Sequence, residues 1–132
     1  MELTFEKGLL GLETYKEYAL KNIEDLDSFK LLQSKDEEGI GLILMSPFEV
    51  CKSYEFEISD SIMNSIGVKS KDDILIYTTV NVNSDFTKNT TNLRAPIIIN
   101  RKSKKGVQVI LNNEKYKIKH PICKGWLYVG DY

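Results

Sequence analysis

Asp73-Ile74-Leu75-Ile76-Tyr77-Thr78-Thr79-Val80-Asn81-Val82 is dense in β-branched residues and carries no glycine or proline. Such side chains suit a pleated, half-buried surface, so residues 73–82 read as the longest strand of the chain. Downstream, residues 83–89 form a polar loop with one aromatic, Phe86. Residues 91–95 read as a short strand or extended segment. Residues 96–100 read as a strand that Pro96 begins, where a missing N–H is tolerated. The turn 101–106, with four basic residues, leads into a return strand at 107–111, a hairpin with a basic tip. Residues 116–120 alternate and read as one more strand.

Upstream, residues 1–5 alternate weakly, and a Gly-rich turn follows at 7–11. Residues 28–34 and 41–46 read as a hairpin around the acidic turn 35–39, and Pro47 stops the second strand. Residues 54–58 (YEFEI) alternate apolar and acidic side chains, the period of a half-buried strand. Ser59 then suits an N-cap. Ile62, Met63 and Ile66 recur at helical spacing as a core-facing stripe, and Gly67 marks a stop. About seven or eight short strands with one or two short helices predict a mostly β fold. The expected architecture is a small antiparallel β-barrel or sandwich-like single domain over residues 1–132, with 121–132 as an extra C-terminal tail. That tail contains Trp126 and Tyr128, and packs as a last strand or presents a patch to a partner.

The 132 residues are 42% hydrophobic and 28% charged, which suits one globular domain. Two cysteines, Cys51 and Cys123, are too few for a disulfide framework and read as free thiols in a reducing compartment. The N-terminus has no signal-like apolar stretch. No segment approaches the roughly 20 apolar residues of a membrane helix. A cytoplasmic location is expected. Net charge is −1 but unevenly placed: residues 1–66 hold 14 acids and 6 bases, for −8, and residues 67–132 hold 5 acids and 12 bases, for +7. Either the halves neutralise each other across the fold, or one face is acidic and suits a basic protein.

Catalysis needs convergent groups, and few are offered. His120 is the sole histidine, there is no G-x-S-x-G, and neither Cys51 nor Cys123 has metal-ligand spacing with it. The carboxylate groups Asp36/Glu37/Glu38, Glu55/Glu57 and Asp72/Asp73 fall in turns or on one strand face, where solvation explains them. No enzyme activity, no cofactor and no metal are expected. The basic stretch 101–119 offers an alternative, an RNA-binding module tracking phosphates, but only Tyr116 is at hand to stack on bases.

Several motifs combine into something more specific. Phe5-x-Lys7-Gly8-Leu9-x-Gly11-Leu12-Glu13 with Tyr18, then Leu32-Gln33-Ser34 and Pro47-Phe48, precede Thr91-Asn92-Leu93-Arg94-Ala95-Pro96-Ile97-Ile98-Ile99-Asn100. Gly106, Gln108, Tyr116 and His120-Pro121 follow. In this order they resemble the flagellar assembly factor FliW family, from about residue 3 to residue 122. Leu12 stands where Phe is usual in the family, and the family's pattern has further residues ahead of the opening motif. The resemblance implies a regulatory protein that binds the translational repressor CsrA as a non-competitive antagonist. It also implies binding of flagellin, coupling flagellin level to its translation and to flagellar assembly. The expected partners are thus two proteins, with no direct nucleic acid and no membrane, and a monomer when free. For partner contact the polar loop is the expected place: Asp85, Phe86 and Thr87, with Asn92 and Arg94 continuing the same edge. An aromatic beside an acid in an otherwise polar loop is a common anchor arrangement.

Overall fold

A computed structural model of the chain describes residues 1–122. Cys123 and the aromatic segment 124–132 lie outside the described residues. The strands are β1 Glu2–Thr4, β2 Glu17–Asn22, β3 Phe29–Ser34, β4 Gly41–Met45 and β5 Ile74–Asn81. They are followed by β6 Thr90–Thr91, β7 Ile97–Asn100, β8 Lys105–Gln108 and β9 His120–Pro121. One α-helix, α1 Asp60–Ser65, sits between β4 and β5.

Seven strands close into a barrel in the order β4-β3-β2-β1-β8-β7-β5, and β5 returns to β4 through Ile43↔Val80, Leu44↔Thr79 and Met45↔Thr78. β6 continues the sheet from the far end of β5, and β9 pairs with β6. The ring is antiparallel except at one seam. There β1 meets β8 in parallel through a single pair, Thr4↔Lys105, with the Thr4 amide donating to the Lys104 carbonyl at 2.9 Å. Closure leaves no free edge within the ring.

Side chains alternate across the barrel wall. Leu3, Phe5, Leu9, Tyr18, Leu20, Leu32, Leu44, Ile97 and Ile99 fill the interior. Ile98 points the other way yet is also fully buried, opposite Ile76 on β5. β7 is therefore covered on both faces, which explains its unbroken run of isoleucines. The outer cover is the strap 47–58 together with α1. A second cluster of Tyr54, Leu93 and Tyr116, joined by Phe56, Ile76 and Leu111, packs beneath the strap.

Four strand expectations are corrected. Residues 54–58 keep the predicted in–out alternation but join no ladder. The Tyr116 hydroxyl donates to the Glu55 carbonyl at 3.1 Å and accepts from the Glu55 amide at 2.9 Å, taking the place of a neighbouring strand. Residues 116–119 join no strand, because Tyr116 points into that cluster while Lys117, Ile118 and Lys119 stay exposed. The return strand is shorter than predicted: β8 ends at Gln108, whose side chain holds the Ala95 carbonyl and the Leu10 amide. Finally, β2 was not predicted at all, yet it pairs along its length with β3. The helix is capped as expected, Ser59 Oγ accepting from the Ile62 amide at 3.2 Å, and Gly67 follows at φ +70°. Its stripe is only half-buried, and full burial begins at Ile66.

Two positions fix the barrel wall. Gly106 faces the Phe5 ring so closely that an added Cβ would lie 2.7 Å from Phe5 Cζ. Gly106→Ala is expected to destabilise by about 1–3 kcal/mol, measured by chemical denaturation, because the fully buried ring has nowhere to retreat. Tyr18 is fully buried, and its hydroxyl has no hydrogen-bond partner among the described residues. Burial pushes its phenol pKa up. Tyr18→Phe is expected to leave stability unchanged or raise it in the same assay, since an unsatisfied buried hydroxyl costs free energy.

Candidate functional site

The loop between β5 and β6 is a preformed structure. The Asn83 amide donates to Asn89 Oδ1 at 2.6 Å, and the Asp85 amide to Asn83 Oδ1 at 3.0 Å. Asp85 caps a single 3-10 turn, Phe86–Lys88, accepting from the Thr87 hydroxyl at 2.6 Å and the Thr87 amide at 3.0 Å. Those two bonds, the hydroxyl's first, hold the Asp85 carboxyl below the usual carboxylate range. Short Asx bonds of this kind favour a turn over further strand. Phe86 is thus carried at the crest of a loop whose polar groups satisfy one another, and it is 60% exposed.

Beside this loop lies the mouth of the barrel, a cavity of about 340 Å³. Leu10, Leu12, Leu42, Val80 and Ile118 supply its apolar wall, with Asn92 and Gln108 among its polar groups. Leu10 and Ile118 are each about half exposed. Asn92, a predicted contact residue, is therefore at the mouth. Its Oδ1 accepts from the Arg94 amide at 2.9 Å, and its own amide donates to the Thr79 carbonyl.

Arg94 is placed differently from the other four predicted residues. Its Nε donates to the Tyr116 carbonyl at 2.9 Å and its Nη2 to the Glu114 carbonyl at 3.3 Å. The guanidinium ties down the turn that carries Tyr116. Asp85, Phe86, Thr87 and Asn92 remain together near the barrel end. Leu10 and Ile118 were missed as mouth residues: the Gly-rich turn 7–11 hinted at exposure for Leu10, whereas Ile118 fell in a stretch that reads as strand.

The groups considered for chemistry do not converge. Among the described residues, no three His, Cys, Asp or Glu side chains are placed to hold a metal. Tyr54, whose pKa burial pushes well above the normal phenol value, donates to the Leu93 carbonyl at 2.6 Å and is part of the packing. At the basic turn, Arg101 pairs with Asp73 at 3.1 Å, Lys105 pairs with Glu6 at 3.0 Å, and Lys104 Nζ donates to the Arg101 carbonyl at 2.6 Å, so three of its four bases are engaged within the protein. No helix among the described residues is long and apolar enough to cross a membrane.

Comparisons with known proteins agree with this geometry. The sequence model of the FliW protein family matches residues 1–122. The flagellar assembly factor FliW of Clostridium botulinum (strain Alaska E43 / Type E3) is 48% identical over 119 residues, covering 90% of this chain and 84% of that protein. That of Clostridioides difficile (strain 630) is 40% identical over 125 residues, covering 95% and 96%. A crystal structure of the flagellar assembly factor FliW superposes with a TM-score of 0.87 at 32% identity, over 93% of this chain and 86% of that one.

The different placements of Arg94 and Phe86 separate by stability. Arg94→Ala should cost about 1–3 kcal/mol in denaturation experiments, for the loss of two charged hydrogen bonds. Phe86→Ala should stay within about 0.5 kcal/mol of the parent, as expected of an exposed loop residue.

Proposed function

This chain belongs to the FliW family, and on that premise we propose that it is a cytoplasmic regulatory protein of flagellar assembly. It acts as one domain, without catalysis or cofactor, by binding protein partners. It binds the translational repressor CsrA as a non-competitive antagonist, and it binds flagellin. Abundant flagellin occupies the protein and frees CsrA, and flagellin synthesis falls. Export of flagellin returns the protein to CsrA. Such a switch is a coupling of two binding equilibria and needs no chemical step.

The observation that supports this most is the exposed Phe86 on its preformed loop, beside the half-apolar mouth. A rigid loop gives up little conformational freedom on binding, and an aromatic anchor near a concave apolar surface is the usual centre of a protein interface. The carboxylate of Asp85 next to it favours a basic partner.

Calorimetric titration of the purified protein into CsrA, alone and with flagellin already present, tests the switch. Binding to CsrA that flagellin abolishes is the expected result, and no binding to either protein refutes the proposal. Phe86→Ala should weaken CsrA binding by about tenfold or more, equivalent to ~1.4 kcal/mol. The double change with Asp85→Lys should weaken it further, although Asp85 also holds Thr87, so the single change is the cleaner probe. Unchanged affinity in Phe86→Ala removes the loop from the interface.

A further inference from the structure

The loop that carries Phe86 hangs on one residue. Residues 81–88 are all exposed, and Asn89 is the first after them to be half-buried. It is bonded on three sides. Its Oδ1 accepts from the Asn83 amide at 2.6 Å. Its own amide donates to the Phe86 carbonyl at 3.1 Å, which ends the 3-10 turn. Its carbonyl accepts from the Ile122 amide at 3.1 Å, next to the pairing of Thr90 with Pro121. The backbone of Asn89 is therefore fixed to β9, and through Thr90 and Thr91 to β5.

The bond from Asn83 to Asn89 differs in kind from its neighbours. The Asp85 amide bonds to Asn83 and Thr87 bonds to Asp85 across two residues each, and the Lys88 amide reaches the Asp85 carbonyl across three. Contacts this local shape a turn without fixing where it points. The Asn83–Asn89 bond spans six residues and joins the two ends of the loop. It sets the Asp85–Thr87 turn, and Phe86 with it, at one orientation relative to the strands.

We propose that Asn89 is a positioning residue for partner binding, one that acts through Phe86 and needs no contact with the partner; this rests on the reading of Phe86 as the anchor. A protein whose binding geometry is populated only part of the time binds more weakly by that fraction. Alanine at residue 89 keeps the backbone bonds to Phe86 and Ile122 and removes only the acceptor for Asn83. Strands β6 and β9 then stay paired while the loop explores other orientations. Aspartate presents an oxygen at the same place and keeps the acceptor.

The test compares Asn89→Ala, Asn89→Asp and the double change Phe86→Ala with Asn89→Ala, each in the full chain. In the free protein, 15N relaxation should show a lower order parameter at the Phe86 amide in Asn89→Ala and the parent value in Asn89→Asp. In calorimetric titration with CsrA, Asn89→Ala should weaken binding about fivefold and Asn89→Asp should bind like the parent. On the Phe86→Ala background, Asn89→Ala should cost nothing more, because the side chain it positions is gone. An unchanged order parameter or unchanged affinity in Asn89→Ala overturns the proposal. So does equal loss in Asn89→Ala and Asn89→Asp, or a further fivefold loss on the Phe86→Ala background. A parent protein that binds neither CsrA nor flagellin overturns the reading of Phe86 and this proposal together. A parent that binds, and is weakened by Phe86→Ala but not by Asn89→Ala, overturns this proposal alone.

Discussion

The Phe5 ring lies against the backbone of Gly106, with no space between them for a methyl group. Around this contact the barrel closes. β1 and β8 share one ladder pair, so hydrogen bonding alone barely holds the seam. Packing supplies the rest. The Phe5 ring meets Tyr18 edge to face at 5.5 Å, its amide donates to the Lys16 carbonyl, and its carbonyl accepts from the Gly8 amide. Gly8 in turn sits at φ +68° with its missing Cβ pointed at the Glu13 backbone, 2.6 Å from the Glu13 Cα. The turn that carries Leu9 and Leu10 to the barrel mouth is thus set by the same closure that makes the interior.

Much of this fold is legible in the sequence where local pattern and tertiary pairing agree. The Ile/Thr/Val run at 74–81, the hairpin of β3 and β4, the isoleucines of β7 and the Ser59 cap are such places. The reading fails where a side chain takes over the role of a strand. Residues 54–58 alternate because Tyr54 and Phe56 pack into the cluster with Tyr116, and the Tyr116 hydroxyl serves the Glu55 backbone. β2 is the opposite case. Glu, Ala, Leu and Lys have no intrinsic liking for strands, and pairing with β1 and β3 overrides that preference. The parallel seam is invisible to periodicity, since nothing local distinguishes it from an antiparallel one. At the candidate site, Phe86 was readable as an aromatic stranded in polar residues. The direction of Arg94 was not, because a guanidinium in an extended segment reaches solvent or a neighbouring turn with equal ease.

The uneven charge of the two halves takes on meaning in three dimensions. Only one ion pair among the described residues, Glu6 with Lys105, crosses from the acidic half to the basic half. Lys35 with Glu2 and Arg101 with Asp73 pair within their own halves. The excess acid therefore stays at the surface, along the turn 24–27, the strap and the start of α1. Exposed pairs contribute little to stability. The unpaired carboxylates act instead on whatever approaches, attracting basic partners and repelling phosphate backbones.

The seam also dictates how the chain reaches its native state. Phe5 and Gly106 are separated by about one hundred residues, so the contact that closes the barrel has one of the longest loops the chain can form. Strands β2, β3 and β4 pair with near neighbours and are able to assemble early. The ring has no final strand until residues 105–108 have left the ribosome, and Phe5 waits exposed until then. A topology of this contact order folds slowly, and its nascent form presents an unclosed sheet with an apolar interior. The chain is thus vulnerable to aggregation while it is being made, until that last strand arrives.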